Sequence, residues 1–406
     1  MKKISFLSLM LSFSIIACSC PGALAQDEKP NFQEEKLTGD WGGLRSRLYD
    51  AGLSLDAYYK FDLWRNFSGG IGKGNRGLDN LDLQATLDGE KALGIQGLTL
   101  FAYLLNNDGG RPNTALVGSN GGIDNIETGN NAFKLYELWA EQNFWGDRVS
   151  VLAGLHDLNS EFYITDTSGL FLNPTYGIGT EMAATGDNGP SIFPTTSLGV
   201  RINVKPTDNT YIKAAIFDGV PGNVNNGRGT HIQFKKKDGA LDVIEGGLDD
   251  ENLGKLAVGV WQYTGKRADQ QTGNPATSKG YYFLGDHSFY NQDGKDISAF
   301  ARIGFTAGDV ESFKSNWSFG AVMSGFIPNR ADGQLGLAVT RVRNSDKFVA
   351  ANAPVDRTET QWELTYADKL LPWLSIQPDL QYTVNPGTDP NLKNAWTGGI
   401  RLGVDF

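Results

Sequence analysis

From Leu53 the chain settles into strict alternation. Leu53, Leu55, Ala57, Tyr59, Phe61 and Leu63 are separated by Ser54, Asp56, Tyr58, Lys60 and Asp62. The same period returns at Leu374, Ile376, Pro378, Leu380, Tyr382 and Val384. At the carboxyl end Trp396, Gly398, Ile400, Leu402, Val404 and Phe406 alternate with Thr397, Gly399, Arg401, Gly403 and Asp405. A period of two gives a strand wet on one face and apolar on the other. In the last strand aromatic residues sit at both ends of the apolar face, which is the girdle pattern of a membrane-spanning β-strand about 9–11 residues long. Reading this period along the chain predicts strands at 53–64, 79–88, 97–107, 133–144, 148–158, 195–205, 209–218 and 240–249. They continue at 254–264, 279–290, 297–308, 315–327, 334–345, 357–369, 373–385 and 395–406. The expected fold is therefore all-β, a transmembrane antiparallel barrel of about sixteen strands over residues 53–406. In 254–264 and 334–345 the pattern does not decide which face meets lipid.

The links support this reading. Short ones at 145–147, 205–209, 329–333 and 370–372 alternate with long ones at 108–132, 159–194, 219–239 and 265–278. Short periplasmic turns and long extracellular loops produce that rhythm. The longest, 159–194, is rich in Gly, Pro and Asn, and its stiffness suits folding into a lumen. Before the first strand, 38–52 reads as a short amphipathic helix with Trp41, Leu44 and Leu48 on one stripe, Thr38 as cap and Gly52 as stop. It belongs to an N-terminal periplasmic segment, 26–52.

Residues 1–25 carry Lys2 and Lys3, an apolar stretch from Ile4 to Ala17, and Ala23-Leu24-Ala25, the layout of an export signal. Cys18 and Cys20 precede the expected cut, although Ile15-Ile16-Ala17-Cys18 loosely resembles a lipoprotein box. Removing Lys2 and Lys3 takes the net charge from −10 to −12. That balance disfavours nucleic acid as a partner and tilts a water-filled lumen towards cations and neutral solutes.

Several segments then resemble one known family. Leu37-Thr-Gly-Asp-Trp-Gly-Gly-Leu-Arg-Ser-Arg-Leu-Tyr-Asp-Ala-Gly-Leu53 is similar to the opening of the carbohydrate-selective porins of the OprB family. So, in family order, are Gly154-Leu-His-Asp-Leu-Asn-Ser-Glu-Phe162, Gly189-Pro-Ser-Ile-Phe-Pro194, Ile216-Phe-Asp-Gly-Val-Pro-Gly222, and Trp362-Glu-Leu-Thr-Tyr366 leading to Gln377-Pro-Asp-Leu-Gln-Tyr-Thr-Val-Asn-Pro-Gly387. The resemblance implies a sixteen-stranded barrel in a Gram-negative outer membrane that passes monosaccharides and similar small polar solutes. A general porin without carbohydrate preference is the alternative.

Parity nominates the lumen residues. A sugar offers hydroxyls at its edges and C–H surface on its faces, so a passing site needs charged groups and aromatic surface. On the polar side lie the acids Glu137, Glu141, Asp82, Glu359 and Glu363, the bases Arg201, Arg302, Lys60 and Arg401, and the aromatic Trp139. Arg201 and Arg302 stand out as lone bases on otherwise apolar strands, because a guanidinium against lipid would cost roughly 2–4 kcal/mol. The same residues could instead form wall-stabilising cross-strand pairs. A hydrolase would have to be assembled from His156, Asp157 and Ser160, and neighbours on a strand face opposite ways. No catalysis, cofactor or metal site is expected. Outer-membrane lipid is an implied partner, as is the barrel assembly machinery through the terminal aromatic Phe406. Monomer and homotrimer both stay open.

Overall fold

The computed structural model describes residues 29–233 and 235–406. The export signal expected at 1–25, with Cys18 and Cys20, lies outside the described residues. Sixteen antiparallel strands close into one barrel. The first eight are β1 (Leu53–Gly70), β2 (Gly74–Asp88), β3 (Leu98–Gly109), β4 (Ala132–Phe144), β5 (Val149–His156), β6 (Ser197–Thr207), β7 (Thr210–Asp218) and β8 (Ala240–Asp250). The second eight are β9 (Gly254–Ala268), β10 (Pro275–Gln292), β11 (Lys295–Thr306), β12 (Phe313–Ser324), β13 (Gln334–Asn344), β14 (Thr358–Leu371), β15 (Leu374–Val384) and β16 (Lys393–Asp405). β1 closes the barrel against β16, with Tyr58 opposite Asp405, Asp62 opposite Arg401 and Arg65 opposite Gly398. Closure leaves no unpaired edge, which a chain in lipid requires.

Burial assigns the two faces. Phe61, Leu63, Val200, Ile202, Ile216, Leu364 and Leu402 are exposed outward, whereas Asp62, Asp82, Arg201, Arg302, Glu363 and Thr397 point inward and are covered. The ambiguous strands resolve in the same way. Leu256, Val258 and Val260 of β9 and Leu335 and Leu337 of β13 take the lipid side, and Ala257, Trp261, Ala338 and Thr340 face in.

An even strand number puts both ends of the barrel on one side. The links on that side include 145–148, 208–209, 293–294 and 372–373; those opposite include 110–131, 157–196 and 219–239. Two expectations change. The loop expected at 265–278 shrinks to 269–274, because β9 and β10 run on as a hairpin above the wall. The loop after β3 does not stand out from the surface: Leu116, Val117, Ile123 and Ile126 pack into the barrel mouth against Trp64 and Leu78. Epitope insertions at 224–226 or 271–273, where the chain is exposed, should therefore be antibody-accessible on intact cells, and insertions at 146–147 or 329–330 should not. Labelling of the second pair alone would reverse the topology.

The N-terminal helix is also revised. It spans Leu44–Asp50, after a tight turn through Gly42 and Gly43. Asp40, not Thr38, receives the Ser46 amide (2.7 Å). Trp41 and Leu44 are exposed and the face that docks carries Arg45. A helix this short is held by what it grips, not by an apolar stripe.

Candidate functional site

Two loops fold into the lumen, and the inward wall residues are what hold them. Loop 157–196 contributes Leu158, Phe162, Tyr163, Ile178 and Met182 to one apolar cluster with β7–β10. Leu170, Phe171 and Tyr176 form another with Phe300, Val322 and Ala338. Its many backbone polar groups then need partners away from water, and the wall supplies them.

Arg302 donates to the carbonyls of Tyr163 (3.1 Å), Gly177 (2.8 Å) and Thr175 (2.9 Å). Glu363 accepts the Leu172 and Asn173 amides (2.6 and 3.0 Å). Glu245 accepts the Tyr163 amide (3.0 Å) and the Tyr211 and Tyr282 hydroxyls. Arg201 bridges loop to wall, donating to Glu161 (2.6 Å), Glu141 (2.8 Å) and Ser150. His156 lies between Glu137 (3.0 Å) and Glu161 (3.4 Å). Burial pushes the Glu161 carboxyl up, but His156, Arg201 and Lys213 outweigh it and hold it below the usual carboxylate range. The loop after β3 is fastened likewise: Glu359 accepts from Ser119 Oγ (2.7 Å) and the amides of Asn120, Gly121 and Gly387.

The sequence-nominated residues thus all face inward but divide by what they touch. Arg302, Glu359 and Glu363 were candidates for solute contact; each is buried and bonded to loop groups, Arg302 through its two Nη atoms while its Nε has no partner. The structure makes them loop anchors. The reason is that a loop folded inward covers the wall behind it. Arg201, Glu137 and Glu141 lie in the same buried network. Trp139 stacks on Phe101 (4.9 Å between ring centroids) under that cover. His156, Asp157 and Ser160 are absorbed there too, with Ser160 Oγ donating to the Asp157 carbonyl (2.7 Å).

Lys60 and Arg401 differ. Their side chains keep 16% and 11% of their surface open to the lumen, while the acids behind them are closed off. Lys60 rests on Asp82 (2.7 Å), which also accepts the Tyr103 hydroxyl (2.6 Å). Arg401 forks onto Asp62 (2.6–3.0 Å) and reaches Asn125 (2.7 Å) on the loop after β3. Asp124, hydrogen-bonded to Trp64 (2.6 Å), has its carboxyl raised by burial and by Asp62, against the pull of Arg401. Register puts Lys60 level with Gly403, and Arg401 level with Asp62 one step outward. Asn125, Asp124, Glu161 and Glu245 were not among the nominated residues. Parity alone could have found Glu245, inward with Leu241 and Val243; nothing in a loop's sequence announces which of its residues meets the wall.

Glu181, on the loop helix Thr180–Ala183, provides a pH test. Its Oε1 accepts the Tyr163 hydroxyl (2.9 Å), its Oε2 has no partner, and it fits only because Gly304 has no side chain, a Cβ there falling 1.7 Å from Oε1. Burial pushes its carboxyl up to about 7, against the Tyr163 hydrogen bond and Arg302. A raised carboxyl favours the packed loop while protonated. That contribution is complete below about 4.5, falls as pH rises towards 7 and is lost above it, about 3 kcal/mol in all. Proteolytic nicking of 157–196 in the purified barrel should therefore be faster at pH 8 than at pH 5. Glu181→Gln should remove about half of the difference, because Asp157 on the same loop, raised to about 7 by burial and Glu137, contributes a similar share. Equal nicking at both pH values would refute this.

The comparisons agree with the geometry. Residues 73–406 match the family model "Carbohydrate-selective porin, OprB family". Porin B of Pseudomonas aeruginosa is 22% identical over 91% of this chain and 91% of its own length. The barrel superposes on the high-pH structure of Pseudomonas putida OprB with a TM-score of 0.82 at 20% identity, over 92% of this chain and 99% of that one. The low-pH structure of the same protein gives 0.61 at 17% identity, again over 92% and 99%.

Proposed function

The chain belongs to the OprB family of carbohydrate-selective porins and is an outer-membrane channel for carbohydrates, and from that premise we propose that sugars are met in the open lumen by Lys60, Arg401 and Asn125. It is a channel rather than an enzyme. The observation that carries the site reading is the asymmetry of exposure: Lys60 and Arg401 present open N–H donors, whereas Asp62, Asp82, Glu359 and Glu363 are sealed behind them or under loops. Ammonium and guanidinium donors suit the hydroxyl oxygens of a sugar, and the Asn125 amide adds an acceptor. Each donor is already half satisfied by its own carboxylate, so a passing hydroxyl gains a hydrogen bond without being trapped, as conduction requires.

This arrangement also bears on ions. The acidic chain favours cations at the mouths, a field screened over roughly 8–10 Å, while the open lysine and arginine oppose it in the lumen. Weak cation preference that fades with salt is expected. At the far end, Phe406 faces outward on the closing strand, and that placement supports its reading by the barrel assembly machinery.

Planar-bilayer recordings with sugars as blockers test the site. Arg401→Gln and Lys60→Gln should each weaken sugar block about 3–10-fold, the loss of one solvent-open hydrogen bond of about 0.7–1.4 kcal/mol, with the channel still open. Unchanged block in both variants would remove these residues from the site and leave the family function standing.

A further inference from the structure

The lipid face carries a feature that transport does not use. On β1 the outward positions run Leu63, Arg65, Phe67, so Arg65 points away from the lumen and is exposed. Arg65 is paired with Gly398 of β16, and the next outward residue of β16, Trp396, stacks on Tyr382 (4.5 Å) in the outer aromatic girdle. Arg65 thus sits about one layer inside the girdle, within the edge of the apolar band. Among the described residues no carboxylate lies within ion-pair distance of it; its guanidinium lies over the Phe67 ring, 5.8 Å from the centroid. A charge at that depth is retained when it snorkels to an anion at headgroup level.

Beneath it the wall is hollowed. Because Gly398 has no side chain the Phe67 ring lies over it, a Cβ there falling 2.9 Å from that ring, and beside the ring Leu63, Leu380 and Ile400 line a groove of about 430 Å³ that opens to the membrane. An unpaired cation above an apolar trough fits an amphiphile with a phosphate at its head and a hydrocarbon tail. The geometry points to a bound phosphorylated glycolipid of the outer leaflet, its phosphate on Arg65 and one acyl chain in the groove at the β1–β16 closure.

The test uses the whole purified barrel in detergent, titrated with bis-phosphorylated lipid A and with its dephosphorylated form, bound lipid being read by native mass spectrometry. Wild type should bind the phosphorylated form about tenfold more tightly than the other. Arg65→Gln should abolish that difference, and Gly398→Leu, which drives the Phe67 ring off the wall and into the groove, should weaken both. Heat-modifiable gel mobility reports folding, and an Arg343→Gln barrel, changed at another exposed outward arginine, serves as control and should bind as wild type does. Equal binding of the two lipids by wild type, or unchanged preference in Arg65→Gln, overturns the proposal. So does a wild-type oligomer that Arg65→Gln dissociates, which would assign the face to contact between copies of the chain.

Discussion

Arg302→Ala should loosen loop 157–196 and raise single-channel conductance, and Arg302→Ala with Glu363→Ala should raise it several-fold and erase discrimination between sugars. Arg302 satisfies three loop carbonyls at 2.8–3.1 Å and its guanidinium lies over the Tyr163 ring, 5.5 Å from the centroid. Removing a buried charged donor leaves those carbonyls unpaired, at a cost of about 3–5 kcal/mol after water enters. That would move the ratio of packed to lifted loop by about 10²–10³. Glu363, Glu245 and the Arg201–Glu161 bridge still hold the loop in the single variant, so its main sign is a noisier, wider channel. The double variant also frees the Leu172 and Asn173 amides, and the segment over Phe300 is left with Gln377 on the Leu170 carbonyl (2.7 Å) and Asp286 on the Thr167 amide (2.7 Å) as its polar tethers. Arg302→Lys retains the charge but cannot span three carbonyls, so it should resemble Arg302→Ala more than wild type. Wild-type conductance in the double variant would mean that the apolar packing of Phe171 and Tyr176, with the contacts of Glu245, Arg201 and Gln377, seats the loop without these two residues.

The barrel was legible because alternation is a local property. Each strand's inward and outward sets follow from its own residues, and all sixteen observed strands overlap a predicted range. What alternation cannot give is the height at which a strand ends. β9 and β10 continue as a hairpin beyond the membrane, where neither face is apolar and the pattern fades; hence the loop predicted at 265–278 proved to be six residues, 269–274. The site was legible only to the level of facing. Arg201 and Arg302 were correctly read as inward, since lipid would not tolerate them. Whether an inward charge meets solute or loop depends on long-range packing, and Glu363, 190 residues from Asn173 in sequence, shows how remote the deciding partner is. The helix before β1 is present, but its stripe and cap were misassigned for a related reason: Arg45 is buried against Phe406 at the opposite end of the chain.

That last contact separates folding from assembly. Deletion of Phe406 should lower outer-membrane levels at least tenfold, whereas the small amount that closes should be nearly as heat-resistant as wild type. In the folded barrel Phe406 contributes one amide bond to the Ala57 carbonyl (2.9 Å), one oxygen that accepts from Arg45 (2.7 Å) and part of one outward ring, worth roughly 2–4 kcal/mol together. The ladder from Tyr58–Asp405 to Gly70–Lys393 does not depend on it. Arg45→Ala should behave in the opposite way. Its guanidinium donates to the main-chain oxygens of Phe406 and Leu55 (both 2.7 Å) and is flanked by the Trp41 and Phe32 rings at 4.8 and 5.1 Å. The bond to Phe406 exists only once β1 has met β16, so losing Arg45 should leave surface levels near normal while lowering the stability of the closed barrel by about 2–4 kcal/mol. Quantitative blots of outer-membrane fractions, set beside heat-modifiable gel mobility, read the two effects independently. Normal levels for the Phe406 deletion would end its role as an assembly signal. A tenfold loss for Arg45→Ala would instead mean that the N-terminal segment and the terminal strand are recognised together, before the barrel closes.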